Sequence, residues 1–250
     1  MTTTTFRKLA FATLAAPLTL GLAACDSAPE GGAASAEPIA PIEAPAGQQW
    51  TDIVNVSESD GYILGNPDAP IKVIEYASLT CPACAAFAAN GAEQLKSEYV
   101  STGRVSFELR NQIHGPHDLA LATMVRCGAK ESFHPLSDQV WTNLQQVLQP
   151  VFDNAEAVEQ SLTLPEDQRL VQLAQIGGFY DFFAARGLSS DQARQCLADA
   201  DKYKQIAENS TTQSNELDVT GTPTFFINGR KLDANSWTQI EPELQRAGAR

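Results

Sequence analysis

Two cysteines stand three residues apart in Ser78-Leu79-Thr80-Cys81-Pro82-Ala83-Cys84. A thiol at the start of a helix lies beside backbone N–H groups that have no intrahelical partner. Those groups and the helix dipole stabilise a thiolate, the species that attacks disulfides. Pro82 suits the first helical position, because it lacks the N–H that would be orphaned there. A spacing of i, i+3 brings Cys84 onto the same helix face, where it can close a short disulfide or resolve a mixed one. Cys81 is therefore the candidate nucleophile and Cys84 the candidate resolving thiol. A structural zinc site is disfavoured, since it needs four ligands and neither a second Cys-x-x-Cys nor an HxxxH is present. His114 and His117, in His-Gly-Pro-His, read as a loop that shapes the chain. Two inert core cysteines are the remaining alternative.

The elements that must position this pair follow from pattern. Ile71 to Tyr76 is a β-rich run after Pro70 and reads as a strand. Cys81 opens a helix in which Phe87, Gly91, Leu95 and Tyr99 recur at i, i+4. Val105 to Leu109 alternates with period two, as a second strand does. Residues 117 to about 208 are helical in pattern. Within them Pro165 falls in the first turn of one helix, with Glu166 and Asp167 at its positive end. Ser189 to Gln192 is a capping-box signal for another. Thr224 to Ile227 is a third strand, and Asn228-Gly229 a tight turn into Arg230-Lys231-Leu232. Ser236 caps a last helix. The aromatic run from Phe179 to Phe183 reads as helix core with one exposed ring. This order gives an α/β fold interrupted by a helical insertion.

Composition bounds the rest. The chain has 250 residues, 43% hydrophobic, with a formal charge of −13 and no basic run. Nucleic acid is excluded as a partner, because phosphate binding needs clustered Lys and Arg. Residues 1–24 carry Arg7 and Lys8 and then an uncharged apolar run, the pattern of a secretory signal. The run ends in Leu22-Ala23-Ala24-Cys25, which resembles a bacterial lipobox with Cys25 as the lipidated first residue. Ordinary cleavage that leaves a free Cys25 thiol is the alternative. Asp26 is similar to an inner-membrane retention signal. Residues 25–49 then read as a lipidated, disordered tether. Its reach is about 70 Å if fully extended, and ordered sequence is expected from about Trp50, in a domain running to residue 250.

The stretch Val73-Ile74-Glu75-Tyr76-Ala77-Ser78-Leu79-Thr80-Cys81-Pro82-Ala83-Cys84 resembles the active site of DsbA-type thiol:disulfide oxidoreductases. Gly221 to Gly229 resembles their cis-proline loop, strand and hairpin. The resemblance covers about residues 60–247. It implies a thioredoxin fold with an inserted helical domain and dithiol–disulfide exchange without metal or organic cofactor. It also implies that Pro223 is cis and faces the cysteines, and that the Thr222 backbone pairs with substrate. Glu75 becomes a buried acid below Cys84, although the residues alone favour a solvated strand-edge carboxylate. Implied partners are exported proteins with thiols or disulfides and a membrane redox protein that recycles the pair, in the bacterial periplasm. Ala83 departs from the family's strongly oxidising members, which have His there, and Thr222 is shared with isomerase and reductase branches. The direction of electron flow is left open.

Cys127 and Cys196 remain. An exported chain meets an oxidising compartment, which favours pairing them over leaving two buried thiols. The rival reading is a thioredoxin-fold chaperone or assembly factor without obligatory redox turnover. A copper-handling protein is weaker still, given two Met in all and no His beside the cysteines.

Overall fold

The computed structural model describes residues 35–250. The signal at residues 1–24 and the lipidation of Cys25 lie outside them. Six strands make one sheet: β1 (Val54–Val56), β2 (Tyr62–Gly65), β3 (Ile71–Ala77), β4 (Val105–Asn111), β5 (Thr224–Ile227) and β6 (Arg230–Lys231). Their order is β1-β2-β4-β3-β5-β6, with β3 and β4 parallel and every other pair antiparallel. The central strand, β3, is covered on both faces: Ile71, Val73, Glu75, Tyr76 and Ala77 are all buried. Such a strand reads as a nearly continuous apolar run, which makes an acid inside it conspicuous.

The helix α1 starts at Pro82–Phe87 with Cys81 at its N-cap. It continues through two π-wound stretches, Ala88–Ala92 and Leu95–Tyr99, and a closing 3-10 turn, Val100–Thr102. Gly103, at φ 71°, ends it in the left-handed conformation that glycine adopts without steric cost. Phe87, Gly91, Leu95 and Tyr99 are buried on one side, as their spacing requires. Gly91 lies where α10 (Trp237–Arg246) crosses closely. A Cβ there would stand 2.6 Å from Cβ of Trp237.

Eight helices run between β4 and β5: α2 (Pro116–Val125), α3 (Phe133–Thr142), α4 (Leu144–Asp153), α5 (Ala155–Ser161), α6 (Glu166–Ile176), α7 (Phe179–Ala184), α8 (Ser190–Ala198) and α9 (Ala200–Glu216). The insertion is thus longer than its pattern suggested, because the polar end of α9 carries few apolar positions to mark it. Pro165 is the N-cap of α6 and does not fall inside its first turn. The capping box at Ser189 and Gln192 is formed. In α7, Phe179, Tyr180 and Phe183 are buried, while Phe182 lies 3.7 Å beneath the Arg186 guanidinium. Arg126, at the end of α2, ties the insertion to the sheet: it donates to Asp60 Oδ2 at 2.7 Å and to Asn111 Oδ1 at 2.9 Å. The sulfurs of Cys127 and Cys196 are bonded, with the Cα atoms 5.9 Å apart, and this closes the end of α2 onto α8.

The whole is a thioredoxin fold with an inserted helical domain. It differs from the sequence reading in two further places. The hairpin β1–β2 was not anticipated. The stretch read as tether is docked from residue 36: the Ala36, Ile39 and Ile42 N–H groups donate to Arg246 O, Gly248 O and Thr102 O at 2.8–2.9 Å. The Trp50 indole in turn donates to Ile42 O at 2.8 Å. Composition reports the lack of local periodicity in this segment. It does not report the unpaired backbone groups at the ends of α1 and α10 that the segment satisfies.

Candidate active site

Strand β3 delivers Glu75 and then the turn Ser78-Leu79-Thr80. Ser78 Oγ accepts from Thr80 N–H at 3.1 Å, and Ser78 O accepts from Cys81 N–H at 3.3 Å and from the Trp141 indole at 3.0 Å. This tight turn sets Cys81 at the N-cap of α1, with φ −85° and ψ 121°. Both cysteines are free thiols. Cys84 is fully buried, while Cys81, also buried, keeps 9% exposure and is the more accessible of the pair.

The two thiols are held in opposite states. The Cys81 thiol is lowered to about 5, first by the hydrogen bond from Cys84, then by the Thr222 side chain and the first-turn N–H groups of Cys84 and Ala83; burial opposes them. Burial pushes the Cys84 thiol far upward, and its hydrogen bond to Cys81 adds to this. The helix-start argument accounts for the backbone contribution. The hydrogen bond between the two sulfurs is the larger contribution. A proton residing on Cys84 is what allows Cys81 to ionise.

The cis-proline loop closes the site. The Thr222–Pro223 peptide bond is cis. The Cys81 thiol donates to Thr222 O at 3.3 Å, so residues far apart in sequence meet at the sulfur. Glu75 faces Leu109 and Phe225 across the sheet and is 1% exposed. Its Oε1 has no hydrogen-bond partner among the described residues. Burial raises the Glu75 carboxyl to about 8; the Asp138 charge adds to this, and Lys96 opposes it. Lys96 and Asp138 form an ion pair. Both line a separate cavity of about 550 Å³ whose wall includes neither cysteine. Among the described residues no three His, Cys, Asp or Glu side chains converge to hold a metal ion.

Cys81, Cys84, Thr222, Pro223 and Glu75 thus form one constellation. Cys127 and Cys196 lie apart from it, in the insertion, and Cys25 is outside the described residues. The sequence reading passed over three contributors. Trp141 fixes the turn before Cys81. Asp118 accepts from the backbone of that same turn. His114 reaches Thr222, although its motif had been read only as a loop. No spacing rule links these residues, which become neighbours only when the insertion packs on the sheet.

A reactive dithiol at a helix start, facing a cis-proline loop on a thioredoxin sheet, defines a class of thiol-exchange folds. The family model described as thioredoxin matches residues 57–245, and the chain belongs to that family. The chain is similar to the crystal structure of protein-disulfide isomerase from Novosphingobium aromaticivorans: TM-score 0.68, 30% identity, covering 73% of this chain and 94% of that one. Wolbachia pipientis alpha-DsbA1 shares the fold, with TM-score 0.62 and 22% identity over 78% of this chain and 94% of that one. A Rickettsia bellii sequence assigned by name to the protein-disulfide oxidoreductases is 27% identical over 193 residues, 77% of this chain. The chain spans 66% of that relative's length.

Proposed function

We propose that this chain is a thiol:disulfide oxidoreductase that exchanges dithiols and disulfides in exported proteins. The observation that carries the reading is the split of the pair: an acidic Cys81, the more accessible of the two, beside a wholly buried, proton-holding Cys84. As oxidant, the Cys81–Cys84 disulfide is attacked at Cys81 by a substrate thiolate. The S–S bond breaks, Cys84 leaves and takes up a proton, and a mixed disulfide remains. A second substrate thiolate attacks the substrate sulfur and expels Cys81 as a stabilised thiolate. The substrate loses two electrons and the pair gains them. In reverse, the Cys81 thiolate attacks a substrate disulfide and Cys84 resolves the adduct, giving up its proton.

Glu75 is the group placed to take or return that proton: a carboxyl raised to about 8 gains and loses protons near neutrality. The Thr222 backbone offers hydrogen bonds to a substrate strand. The stabilised Cys81 thiolate favours the reduced pair, whereas Ala83 withholds a side-chain donor from it, and the reduction potential decides the direction of electron flow. Lipidation at Cys25, export to the bacterial periplasm, attachment to the inner membrane and recycling by a membrane redox partner complete the reading. The signal-like residues 1–24 and the lipobox-like Leu22-Ala23-Ala24-Cys25 support it.

Replacing Cys81 with Ala tests it. Insulin reduction and complementation of a strain lacking disulfide formation both disappear. If Cys81→Ala keeps full activity, the enzyme reading fails and a chaperone remains. Equilibration with glutathione fixes the direction: a potential near about −120 mV marks a donor, and one near about −250 mV a reductase.

A further inference from the structure

A loop without a cysteine reaches the partner of the reactive sulfur. His114 is exposed at the entrance to α2, and its Nε2 lies 3.3 Å from Thr222 Oγ1. The carbonyl of that same Thr222 receives the Cys81 thiol. The His114 backbone N–H donates to Asp118 Oδ2 at 2.9 Å. The second carboxylate oxygen, Oδ1, accepts from Leu79 N–H at 3.0 Å, two residues before Cys81. Asp118 is wholly buried. Each of its oxygens therefore holds one of two loops, the turn that sets Cys81 and the loop that reaches Thr222.

This arrangement is costly. Burial raises the Asp118 carboxyl to about 6, even though the His114 and Leu79 N–H groups pull it down. Burying a carboxylate is costly unless it is hydrogen-bonded, and here each oxygen accepts from a backbone N–H. Charge-assisted bonds to two backbone N–H groups do that more firmly than neutral ones. The need is visible in the sequence: Pro82-Ala83 supplies no side-chain donor between the cysteines. Beyond the pair, Thr222 is the residue hydrogen-bonded to Cys81 through its carbonyl, and His114 is what Thr222 Oγ1 meets.

We propose that Asp118 and His114 are positioning residues for thiol exchange, a relay from the helical insertion that holds the Thr222 loop in register with Cys81. The proposal rests on the thiol-exchange reading for its purpose, but its test does not require turnover. Neither residue touches the reacting sulfur. Asp118 fixes the His114 loop against the Cys81 turn, and the imidazole fixes Thr222.

The test uses the full reduced chain and three single variants, His114→Ala, His114→Gln and Asp118→Asn, with the double variant His114→Ala/Asp118→Asn. Cys81 ionisation is followed by thiolate absorbance against pH, with melting temperature recorded in parallel. His114→Ala, at an exposed site, is expected to weaken Cys81 ionisation about threefold or more, a shift of about half a pH unit, at unchanged melting temperature. His114→Gln, which keeps a side-chain amide in reach of Thr222, restores the titration at least in part. Asp118→Asn, with one acceptor oxygen lost, moves it the same way. The double variant matches the larger single effect, because residues in one relay are not additive.

Unchanged Cys81 titration in folded His114→Ala overturns the proposal. So does an Asp118→Asn variant whose melting temperature falls while Cys81 titrates as before, or strictly additive shifts. If Asp118→Asn does not fold, the His114 pair of variants decides. A wild-type chain whose Cys81 titrates low but never exchanges with glutathione removes the enzyme reading and leaves the relay standing.

Discussion

Glu75 is the residue at which chemistry and stability pull apart. It sits fully buried in β3, with Oε1 unpartnered among the described residues, and burial raises its folded carboxyl to about 8 from an ordinary value of 4.5. The sign follows from linkage. A raised folded value means that the native state holds the proton more tightly than the unfolded one. Its contribution is fully present below about pH 4.5 and is lost progressively as pH rises through about 8. Glu75→Gln removes that loss. It is expected to stabilise the protein at pH 7 by on the order of 3 kcal/mol, the linkage cost of taking up a proton on folding at a pH above the ordinary carboxyl value, and to slow exchange at the step where Cys84 changes its proton. Denaturant melts at pH 5 and pH 8 check the first effect: the gap between variant and wild type must widen with pH. Stopped-flow thiol exchange checks the second.

Among elements, α1 bears the tightest constraint. Its N-terminus activates Cys81 and its flank meets α10 at Gly91. A methyl group there would stand 2.6 Å from Trp237 Cβ, a backbone-proximal atom that cannot rotate away. Trp237 is also held by its indole bond to Gln94 at 2.7 Å and by edge packing on Tyr99 at 5.6 Å. Gly91→Ala is therefore expected to destabilise by about 1–3 kcal/mol. The helix-propensity gain of Ala over Gly, about 1 kcal/mol, offsets only part of the overpacking. A thermal melt that rises in this variant would show that α10 moves aside freely. The repeat Phe87, Gly91, Leu95, Tyr99 made this face legible. The π-wound turns within it were not legible, because no residue type marks them. The β1–β2 hairpin was equally hidden, since Val54–Val56 and Tyr62–Gly65 are too short for alternation to register and owe their pairing to β4.

For the whole molecule, the bond between Cys127 and Cys196 spans a sequence separation of 69 and closes α2 onto α8. We propose that it stabilises the insertion and takes no part in exchange. In the chain-entropy account a loop of this length contributes on the order of 4 kcal/mol. Cys127→Ala should lower the oxidised protein's melting temperature by about 5 °C or more and leave the Cys81–Cys84 potential unchanged within error. An unchanged melting temperature would count against the role, as would a shifted potential. The docked segment from Ala36 to Ile42 meets residues 102, 104, 246 and 248. Any tether to Cys25 is therefore shorter than the acidic, Pro-rich composition implied.

The sequence by itself pointed to the cysteine pair, the strand before it and the hairpin at Asn228-Gly229, and the role of the Thr222-Pro223 loop came only through the resemblance. Each of the first three is written in a contiguous stretch whose local chemistry is specific: a proline at the first helical position, an apolar run, an Asn-Gly turn. It also pointed to Cys127 and Cys196, because two thiols remained after the pair was assigned. Only the tertiary structure decided that Glu75 is buried, since an acid in a strand is solvated or not according to what covers it. Only packing brought Thr222 to Cys81, or set the Asp118 carboxylate between Leu79 and His114. The Leu79–Asp118 and Cys81–Thr222 contacts join residues 39 and 141 positions apart, and their energies come from desolvation and hydrogen bonding between segments with no local signal in common.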